Sequence, residues 1–452
     1  MKPFSLQDVI AATGGTYKGE ADPAGIIITG VCTDSRRAAS GDLFIPIRGE
    51  RFDGHDFIAS ALESGATACL SEKALEAGAP CVLVEDTLAA FQAQAAFYKD
   101  LFAVKTVGIT GSVGKTTTKE FVAAVLSQKF NVLKSIGNLN NQVGVPMTVL
   151  RLEQEHEMAV IEMGTNHFGE IAAVAKIVRP DICLFTNIGD SHIEHLGSRE
   201  GILKAKAEML PFMRPGGRVI INGDDSLLLT LKDARDDVIC VGLGPENDIR
   251  ATDLVPKGLL GTGFTVHYEG REALMRVNRP GTHMVMNALA AFACGRIMDM
   301  DVRTIQEGLD SYEPVGGRMN IVQAGGLTIL NDVYNANPNS MRAAIDVLKQ
   351  AQGRKVCILG DMFELGENAA DYHRQIGKYA ASAGIDEMIF VGQLAQYMVQ
   401  GAQQQGRDAR YFSTQQALID HIFEYLRDGD NVLVKASHGM HLEDTVEHLQ
   451  NR

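Results

Sequence analysis

The stretch that decides the fold is Lys105-Thr-Val-Gly-Ile-Thr110-Gly-Ser-Val-Gly-Lys-Thr-Thr117. Its first six residues form an apolar run typical of a buried strand, and a glycine-rich turn follows directly. From Thr117 to Phe130 the pattern becomes helical. A strand, a glycine-rich loop and a helix in this order predict a phosphate-binding loop in an α/β sheet.

The loop has the residue types that phosphate binding requires. Glycines let backbone N–H groups close on phosphate oxygens, Lys115 can reach the β and γ phosphates, and Thr116 can bind Mg²⁺. The strict motif has glycine at position 109, where this chain has Ile109. The alternative is a glycine-rich turn before an ordinary helix, which the flanking strand and helix disfavour. We expect the binding residues to be Gly111, Ser112, Val113, Gly114, Lys115, Thr116 and Thr117.

Similar apolar runs follow this loop in the sequence and predict the fold class. Runs long enough for strands buried on both faces occur at 158–161, 182–185 and 218–221, and again at 327–330, 356–359, 388–391 and 432–434. They predict an α/β fold of three domains. These are a small N-terminal α/β domain (1–103), a central P-loop ATPase-like parallel sheet (104–314) and a C-terminal Rossmann-like domain (315–452).

Composition excludes several classes of protein. The 452 residues carry a formal net charge of −14, which argues against a nonspecific nucleic-acid binder, and no apolar run reaches the length of a membrane helix. Seven cysteines without metal-ligand spacing mostly have apolar neighbours, so we expect reduced core residues. The chain is therefore predicted to be a cytoplasmic protein, without membrane insertion.

Polar side chains follow two of the predicted central strands. Glu162 ends one strand, and His192 follows another, with His195 a weaker candidate beside it. Because ligands bind beyond the carboxyl ends of strands in such sheets, these two side chains are candidate ligands for metal ions that bridge ATP to a second substrate. A solvated strand-end charge for Glu162 and a satisfied loop histidine for His192 remain alternatives.

Lys206 lies on the inward face of a predicted helix. It stands four residues after Ile202 and four before Leu210, whereas Lys204 points outward. On spacing alone, an inward lysine extends its amine toward solvent or pairs with a carboxylate.

Together these motifs resemble the Mur ligase family over the whole chain. The matching central segments are 110–116, 162–167, His192-Ile-Glu194 and 205–208. The N-terminal ones are Thr33-Asp-Ser-Arg36, 41–44 and 53–57, and the C-terminal ones are Gly317-Arg-Met-Asn320, 331–338 and 360–366. Within the family, segments 137–146 and 331–338 look most like the members that add D-alanyl-D-alanine.

The resemblance implies ATP, two Mg²⁺ ions and a CO₂-derived carbamate on Lys206 as cofactors. Lys115, Lys206, Glu162 and His192 would be catalytic, and Thr116, Glu162, His192 and carbamylated Lys206 would bind metal. His283, Asn287, Arg318 and Asp332 would contact the nucleotide, with His283 and Asn287 on one helical face. Ser35, Arg36, Asn138, Asn141, Asn335 and Asn337 would contact the other substrates.

The implied reaction joins D-alanyl-D-alanine to UDP-N-acetylmuramoyl-tripeptide through an acyl phosphate, in a monomer whose third domain closes over the site. One departure is Lys435-Ala-Ser-His-Gly439, where relatives usually carry Gly and Arg in place of Ala436 and His438. Neutral imidazole cannot replace a bidentate guanidinium. The alternatives are a folylpolyglutamate-synthetase-like ligase and a P-loop switch ATPase. The third residue of the tripeptide, lysine or diaminopimelate, stays open.

Overall fold

The computed structural model describes residues 1–49, 52–75, 80–189 and 193–452. Contacts divide the chain into two compact units. The first unit comprises Met1–Gly108, Phe130–Cys183 and Ala207–Gly217, and the second comprises Ile109–Lys129, Leu184–Lys206 and Arg218–Arg452. Among the described residues, no helix is both long enough and apolar enough to cross a membrane.

The described strands are short and evenly spread. In chain order they are β1 Phe4–Ser5, β2 Thr16–Lys18, β3 Ile27–Ile28, β4 Gly30–Cys32, β5 Asp42–Phe44, β6 Ala68–Ser71, β7 Cys81–Leu83, β8 Lys105–Thr110, β9 Val132–Lys134, β10 Met158–Glu162, β11 Ile182–Phe185, β12 Arg218–Asn222, β13 Val238–Gly242, β14 Ile249–Pro256, β15 Thr262–Tyr268, β16 Arg271–Val277, β17 Asn320–Ala324, β18 Leu327–Asn331, β19 Lys355–Gly360, β20 Glu387–Val391, β21 Arg410–Phe412 and β22 Asn431–Lys435.

The described α-helices lie mostly between these strands along the chain. They are α1 Leu6–Thr13, α2 Ile58–Glu63, α3 Thr87–Asp100, α4 Lys115–Leu126, α5 Gly144–Val149, α6 Glu170–Val178, α7 Ile193–Leu196, α8 Arg199–Ala207, α9 Ser226–Asp233, α10 Thr282–Ile297, α11 Val302–Asp310, α12 Pro338–Lys349, α13 Ala369–Ser382, α14 Ala395–Gln403, α15 Gln415–His421 and α16 Glu443–Gln450.

The N-terminal strands form a five-stranded sheet of order β2-β7-β6-β5-β4, and β1 pairs with β3 alone. Only β2 runs antiparallel to its neighbour in the larger sheet. The core on this sheet includes Phe44, Ile58, Ala61, Cys69 and Cys81. All seven cysteines of the chain are buried, as their apolar neighbours predicted.

The central strands form a nine-stranded sheet of order β16-β15-β14-β13-β12-β11-β8-β10-β9. Every residue of β10 and β11 is buried, and in β8 only Lys105 is exposed. The prediction of strands buried on both faces is confirmed here, because continuous apolar runs leave no face for water.

The predicted parallel central sheet is incomplete as a description, because β14, β15 and β16 form an antiparallel meander at one edge. Burial alternates residue by residue along β15. Such alternation indicates a strand with one face on the core and one in solvent, as antiparallel sheets permit. A search for continuous apolar runs in the sequence does not detect strands of this kind.

The C-terminal sheet has the order β17-β18-β22-β19-β20-β21, and it is parallel except for β17. Its core contains Ile329, Val356, Ile389, Val432 and Leu442. Helices separate the parallel strands, which is the pattern of a doubly wound sheet. The predicted α/β fold class is therefore confirmed.

Candidate active site

The predicted phosphate loop lies between β8 and α4, and α4 starts at Lys115, two residues before the predicted helix. Gly114 has a φ of 85° at the helix N-cap, a left-handed conformation that side chains disfavour. A Cβ atom at Gly111 would overlap Thr186 Oγ1. Both glycines are thus required by the backbone path, and the first turn of α4 presents the positive end of the helix dipole to the loop.

Residues after β11 hold the loop in place. The backbone N–H of Val113 donates to Asn187 Oδ1 at 2.9 Å, and that of Ser112 donates to Asn187 O at 3.0 Å. Thr186 Oγ1 donates to Val113 O at 2.6 Å, and Asn187 Nδ2 donates to the same carbonyl oxygen at 3.0 Å. Asn187 therefore organises the loop, a role that no local pattern in the sequence indicated.

Lys115 folds back along the loop that precedes it. Its Nζ donates to Gly111 O at 2.9 Å and to Ser112 O at 3.5 Å. The next residue, Thr116, is buried. The lysine and the threonine hydroxyl therefore lie at the start of α4, where the sequence predicted a γ-phosphate contact and a magnesium ligand.

Lys206 is buried in α8, with a side chain that is 1% exposed. Burial, and then the positive charge of Lys115, lower the pKa of its amine well below the usual value. Among the described residues, no carboxylate forms an ion pair with Lys206. This part of the chain therefore does not support the alternative in which Lys206 pairs with a carboxylate. A buried amine beside a second cation is suited to conversion into an anion.

Glu162 ends β10 and is 2% exposed. Asn140 Nδ2 donates to its Oε1 at 2.8 Å, and the Glu162 N–H donates to Ser135 Oγ at 3.1 Å. The hydrogen bond from Asn140 orients the carboxylate, which is the usual function of a second partner behind a metal ligand. Asn140 was not singled out in the sequence, although its neighbours Asn138 and Asn141 were.

The other predicted metal ligand, His192, lies outside the described residues. Within the described part of the chain, no group of three or more His, Cys, Asp or Glu side chains is arranged to hold a metal ion. The predicted ligand set differs from such a group, because it includes a threonine hydroxyl and a modified lysine. Thr116 and Glu162 nonetheless carry oxygen atoms of the kind that Mg²⁺ binds.

Two predicted nucleotide contacts lie on α10. Asn287 Oδ1 accepts a hydrogen bond from Thr118 Oγ1 at 3.0 Å, and it would lie 3.6 Å from a Cβ at Gly114. Asn287 is therefore next to the phosphate loop. His283, four residues earlier, is half-buried, and burial lowers the pKa of its imidazole while Asp332 acts in the opposite direction.

Asp332 follows β18 and forms an ion pair with Lys435, at the end of β22, over 2.6 Å. Asp332 Oδ1 also accepts from the N–H of Met319 at 3.0 Å, and Lys435 Nζ donates to Asn335 O at 2.8 Å. The side chain of Lys435 is 3% exposed. This buried pair joins two neighbouring parallel strands, and Lys435 was not among the predicted site residues.

Arg318 places its guanidinium carbon 3.3 Å from the ring centre of Tyr334. The ring of His438 stacks on the ring of Tyr334 as well, and the two ring centroids lie 5.8 Å apart. His438 Nδ1 also lies 3.2 Å from Glu443 Oε1. The residue that departs from the family pattern therefore contacts the same tyrosine as the predicted nucleotide contact Arg318.

The predicted substrate residues fall into different surroundings. Ser35 is buried in a single 3₁₀ turn, and exposed Arg36 forms an ion pair with Asp34 at 2.7 Å, which lowers the pKa of that carboxyl to about 2. Asn138 is exposed. Asn141 Oδ1 accepts from the N–H of Gly144 at 2.8 Å.

Asn335 and Asn337 complete the predicted substrate set. Asn337 caps α12, because its Oδ1 accepts from the Ser340 N–H at 2.9 Å while Ser340 Oγ accepts from the Asn337 N–H. The amide oxygens of Asn141 and Asn337 thus have structural partners at helix starts. Asn335 Oδ1 accepts from the N–H of Ala336 at 2.8 Å.

The loop, its Asn187 anchor and the buried lysine beside it define a P-loop nucleotide-binding protein of the α/β class. Three family models match the chain: the Mur ligase family catalytic domain at residues 27–110, the Mur ligase middle domain at 109–295 and the Mur ligase glutamate ligase domain at 317–438. The chain belongs to the Mur ligase family.

Curated and solved proteins agree with this assignment. The chain is 37% identical, over 94% of its length and 93% of the relative, to UDP-N-acetylmuramoyl-tripeptide–D-alanyl-D-alanine ligase of Bacillus subtilis (strain 168). A crystal structure of MurF from Acinetobacter baumannii matches with a TM-score of 0.94 and 33% identity over the whole of both chains. MurF ligase from Thermotoga maritima, solved in complex with ADP, matches with a TM-score of 0.84 and 27% identity over 93% of this chain and 97% of that one.

Proposed function

We propose that this chain joins D-alanyl-D-alanine to UDP-N-acetylmuramoyl-tripeptide, with cleavage of ATP to ADP and phosphate, in the synthesis of the peptidoglycan precursor. The observation that carries the proposal is a phosphate loop with a buried, cation-flanked lysine beside it, in a chain aligned over almost its full length with ligases named for this reaction. A P-loop switch ATPase would not require Lys206. The relatives do not favour a folylpolyglutamate-synthetase-like activity.

The first step takes place at the phosphate loop. The terminal carboxylate of the tripeptide attacks the γ-phosphorus of ATP, the bond to the β-phosphate oxygen breaks, and ADP leaves. Lys115 and the first turn of α4 neutralise the charge that collects on the transferred group. For this, Lys115 exchanges its bonds to Gly111 O and Ser112 O for phosphate oxygens.

The second step forms the amide. The amine of D-alanyl-D-alanine attacks the acyl carbon of the acyl phosphate, a proton is lost from nitrogen, and phosphate leaves as the tetrahedral intermediate collapses. Water in place of the amine would waste the acyl phosphate, so water must be excluded until the dipeptide is bound.

Metal binding in this proposal involves Thr116, Glu162, His192 and Lys206. Mg²⁺ ions, when bound, supply positive charge that stabilises the phosphoryl transfer. Lys206 would contribute as a carbamate: the ammonium loses a proton, the neutral amine adds to CO₂ with release of a second proton, and the product carries an anionic oxygen that can bind metal. Burial favours the neutral amine that this addition needs. Asn140 orients Glu162.

The remaining contacts divide between nucleotide and substrate. We assign Asn287, His283, Arg318 and Asp332 to the nucleotide. We assign Ser35, Arg36, Asn138 and Asn335 to the other substrates, and Asn141 and Asn337 as well, through groups that their hydrogen bonds to the backbone do not use. The proposal further includes a monomer acting in the cytoplasm.

One assay tests the proposed function. ADP release is measured with UDP-N-acetylmuramoyl-tripeptide and D-alanyl-D-alanine together, and with each alone. We expect full turnover only with both, and almost none with the dipeptide alone, because the carboxylate must be phosphorylated before the amine reacts. Equal ADP release with the dipeptide alone and with the full set would overturn the acyl-phosphate route.

A further inference from the structure

The segment that anchors the phosphate loop is itself held by two charged side chains. Asp225, which follows β12, accepts a hydrogen bond at its Oδ2 from the backbone N–H of Ile188 at 2.7 Å. Arg199, the first residue of α8, donates from Nε and Nη2 to the carbonyl oxygen of Ile188 at 3.2 Å and 2.7 Å. The two charges therefore act on the two peptide groups that flank Ile188, a residue that is 2% exposed.

Each of these peptide groups continues to Ser112 in the phosphate loop. The first group joins Asn187 to Ile188, and its oxygen accepts a hydrogen bond from the N–H of Ser112 at 3.0 Å. The second group joins Ile188 to Gly189, and its N–H donates to Ser112 Oγ at 2.9 Å. One charged side chain is thus connected to the backbone of Ser112, and the other is connected to its hydroxyl group.

A charge at one end of a peptide group strengthens the hydrogen bond at the other end, because hydrogen bonds in a chain polarise one another. A carboxylate that accepts from the N–H makes the carbonyl oxygen of that group a better acceptor. A guanidinium that donates to the oxygen makes the N–H a better donor. Both hydrogen bonds to Ser112 are strengthened in this way. Because Ser112 Oγ accepts from Gly189, its own proton can be donated to a phosphate oxygen.

The two oxygens of the Asp225 carboxylate have different partners. Oδ1 accepts from the N–H of Leu227 at 3.0 Å and caps α9, whereas Oδ2 accepts from Ile188. The cap alone would need only one oxygen, so the second oxygen is the one that a role at the phosphate loop explains. Arg199 Nη2 lies 3.9 Å from Asp225 Oδ1, and the two side chains are 45% and 8% exposed.

We propose that Asp225 and Arg199 are positioning residues of the phosphate loop, and that they hold Ser112 in the orientation that binds the nucleotide phosphates. The inference rests on the proposed function, because it assigns both side chains to nucleotide binding. Both residues act through the peptide groups of Ile188, so neither needs to contact the nucleotide. Loss of either should weaken nucleotide binding and leave the binding of the other two substrates unchanged.

The test measures the binding of ADP with Mg²⁺ by calorimetry for the wild type, Arg199→Met and Asp225→Ser. Serine still caps α9, but it is too short to reach Ile188. The dissociation constant should rise by about 5-fold in each variant, as expected for residues within a connected network. The KM for ATP should rise equally, while the KM values for the tripeptide and the dipeptide stay the same. A general loss of stability would not produce this difference.

Two neighbouring residues provide matched controls. Asp224, beside Asp225, accepts from the N–H groups of Leu243 and Gly244, so Asp224→Ser removes a carboxylate that holds a different loop. Lys204 is exposed on the same helix as Arg199, and Lys204→Met removes a positive charge there. Both variants should bind ADP as the wild type does. Arg199→Lys should be intermediate, because an ammonium keeps the charge without the two-pronged contact.

A Ser112→Ala background separates the two connections. Arg199 acts on the hydroxyl group, so its effect should fall below about 2-fold in this background, whereas the effect of Asp225 on the backbone should persist. An Arg199 effect of equal size in both backgrounds would overturn the proposal, and so would ADP binding that is equally weakened in the two controls.

Unchanged ADP affinity in both Arg199→Met and Asp225→Ser would overturn the proposal and leave the proposed function intact. A wild type that binds no ADP would overturn both.

Discussion

Lys206 and Lys99 are each 1% exposed, and in both cases burial lowers the pKa of the amine. Their neighbours differ. Lys206, in α8, lies near Lys115, which starts the helix that follows the phosphate loop. Lys99, in α3, lies near two arginines and two aspartates, which are Arg179, Arg214, Asp100 and Asp181. Among the described residues neither lysine forms an ion pair with a carboxylate, and only Lys206 belongs to the residues proposed for catalysis. Burial alone therefore does not identify a catalytic lysine, and the neighbouring groups must be considered as well.

The largest effect on turnover is expected when Lys206 is replaced. Lys206→Ala should reduce turnover by about 10³-fold, at the upper end of what loss of one preorganised group costs. Lys206→Arg should fare no better, because a guanidinium keeps the positive charge and forms no carbamate. ADP release measures turnover, and ATP binding through the loop should persist.

Lys204→Ala is the matched control, since Lys204 is exposed on the same helix two residues away. Its turnover should match the wild type. In CO₂-depleted buffer the wild type should lose activity and regain it when bicarbonate is added. Normal turnover of the arginine variant would refute the carbamate.

Replacement of Lys115, the cation near Lys206, is expected to have the next largest effect on turnover. Lys115→Ala should lower turnover by at least about 10²-fold while the fold stays intact, because the transferred phosphoryl group loses one positive donor. Circular dichroism checks the fold and ADP release checks the rate. A folded variant with near-normal turnover would exclude the phosphate-loop assignment.

A smaller effect is expected at Asn140. Asn140→Ala removes the hydrogen bond that orients Glu162, so the Mg²⁺ concentration for half-maximal activity should rise by about 10-fold. Saturating Mg²⁺ should restore most of the rate. A purely structural role would instead lower the maximal rate at every Mg²⁺ concentration, and a titration of activity with Mg²⁺ distinguishes the two.

Sequence patterns predicted the parts of this molecule whose structure depends on residues that are close together in the chain. The phosphate loop is contiguous, and its glycines are required by backbone conformation within a few residues. The inward direction of Lys206 followed from helical spacing, because burial repeats with the turn of the helix. Four strands of the C-terminal sheet, β18, β19, β20 and β22, followed from continuous apolar runs, whereas β17 and β21 were not predicted.

Contacts between distant residues were not predictable in this way. Asn187 anchors a loop that lies 74 residues earlier at Val113, and Lys435 pairs with Asp332 across 103 residues. Such partners leave no periodic signal, because topology brings them together. That Lys99 Nζ has no hydrogen-bond partner among the described residues is likewise visible only in three dimensions.

The smallest predicted effect is on stability, at Lys99. Its pKa is about 8 in the folded chain against an ordinary 10.5, so a charged Lys99 opposes folding fully below pH 8, and the penalty fades as the pH rises toward 10.5. Lys99→Met should therefore be more stable than the wild type at pH 7, by about 3 kcal/mol at most. Urea unfolding at pH 7 and at pH 9.5 measures this, and the advantage should be smaller at the higher pH. An advantage that is equal at both pH values would mean that the methionine improves packing and that the charge of Lys99 is already compensated, which would remove the physical basis of the comparison with Lys206.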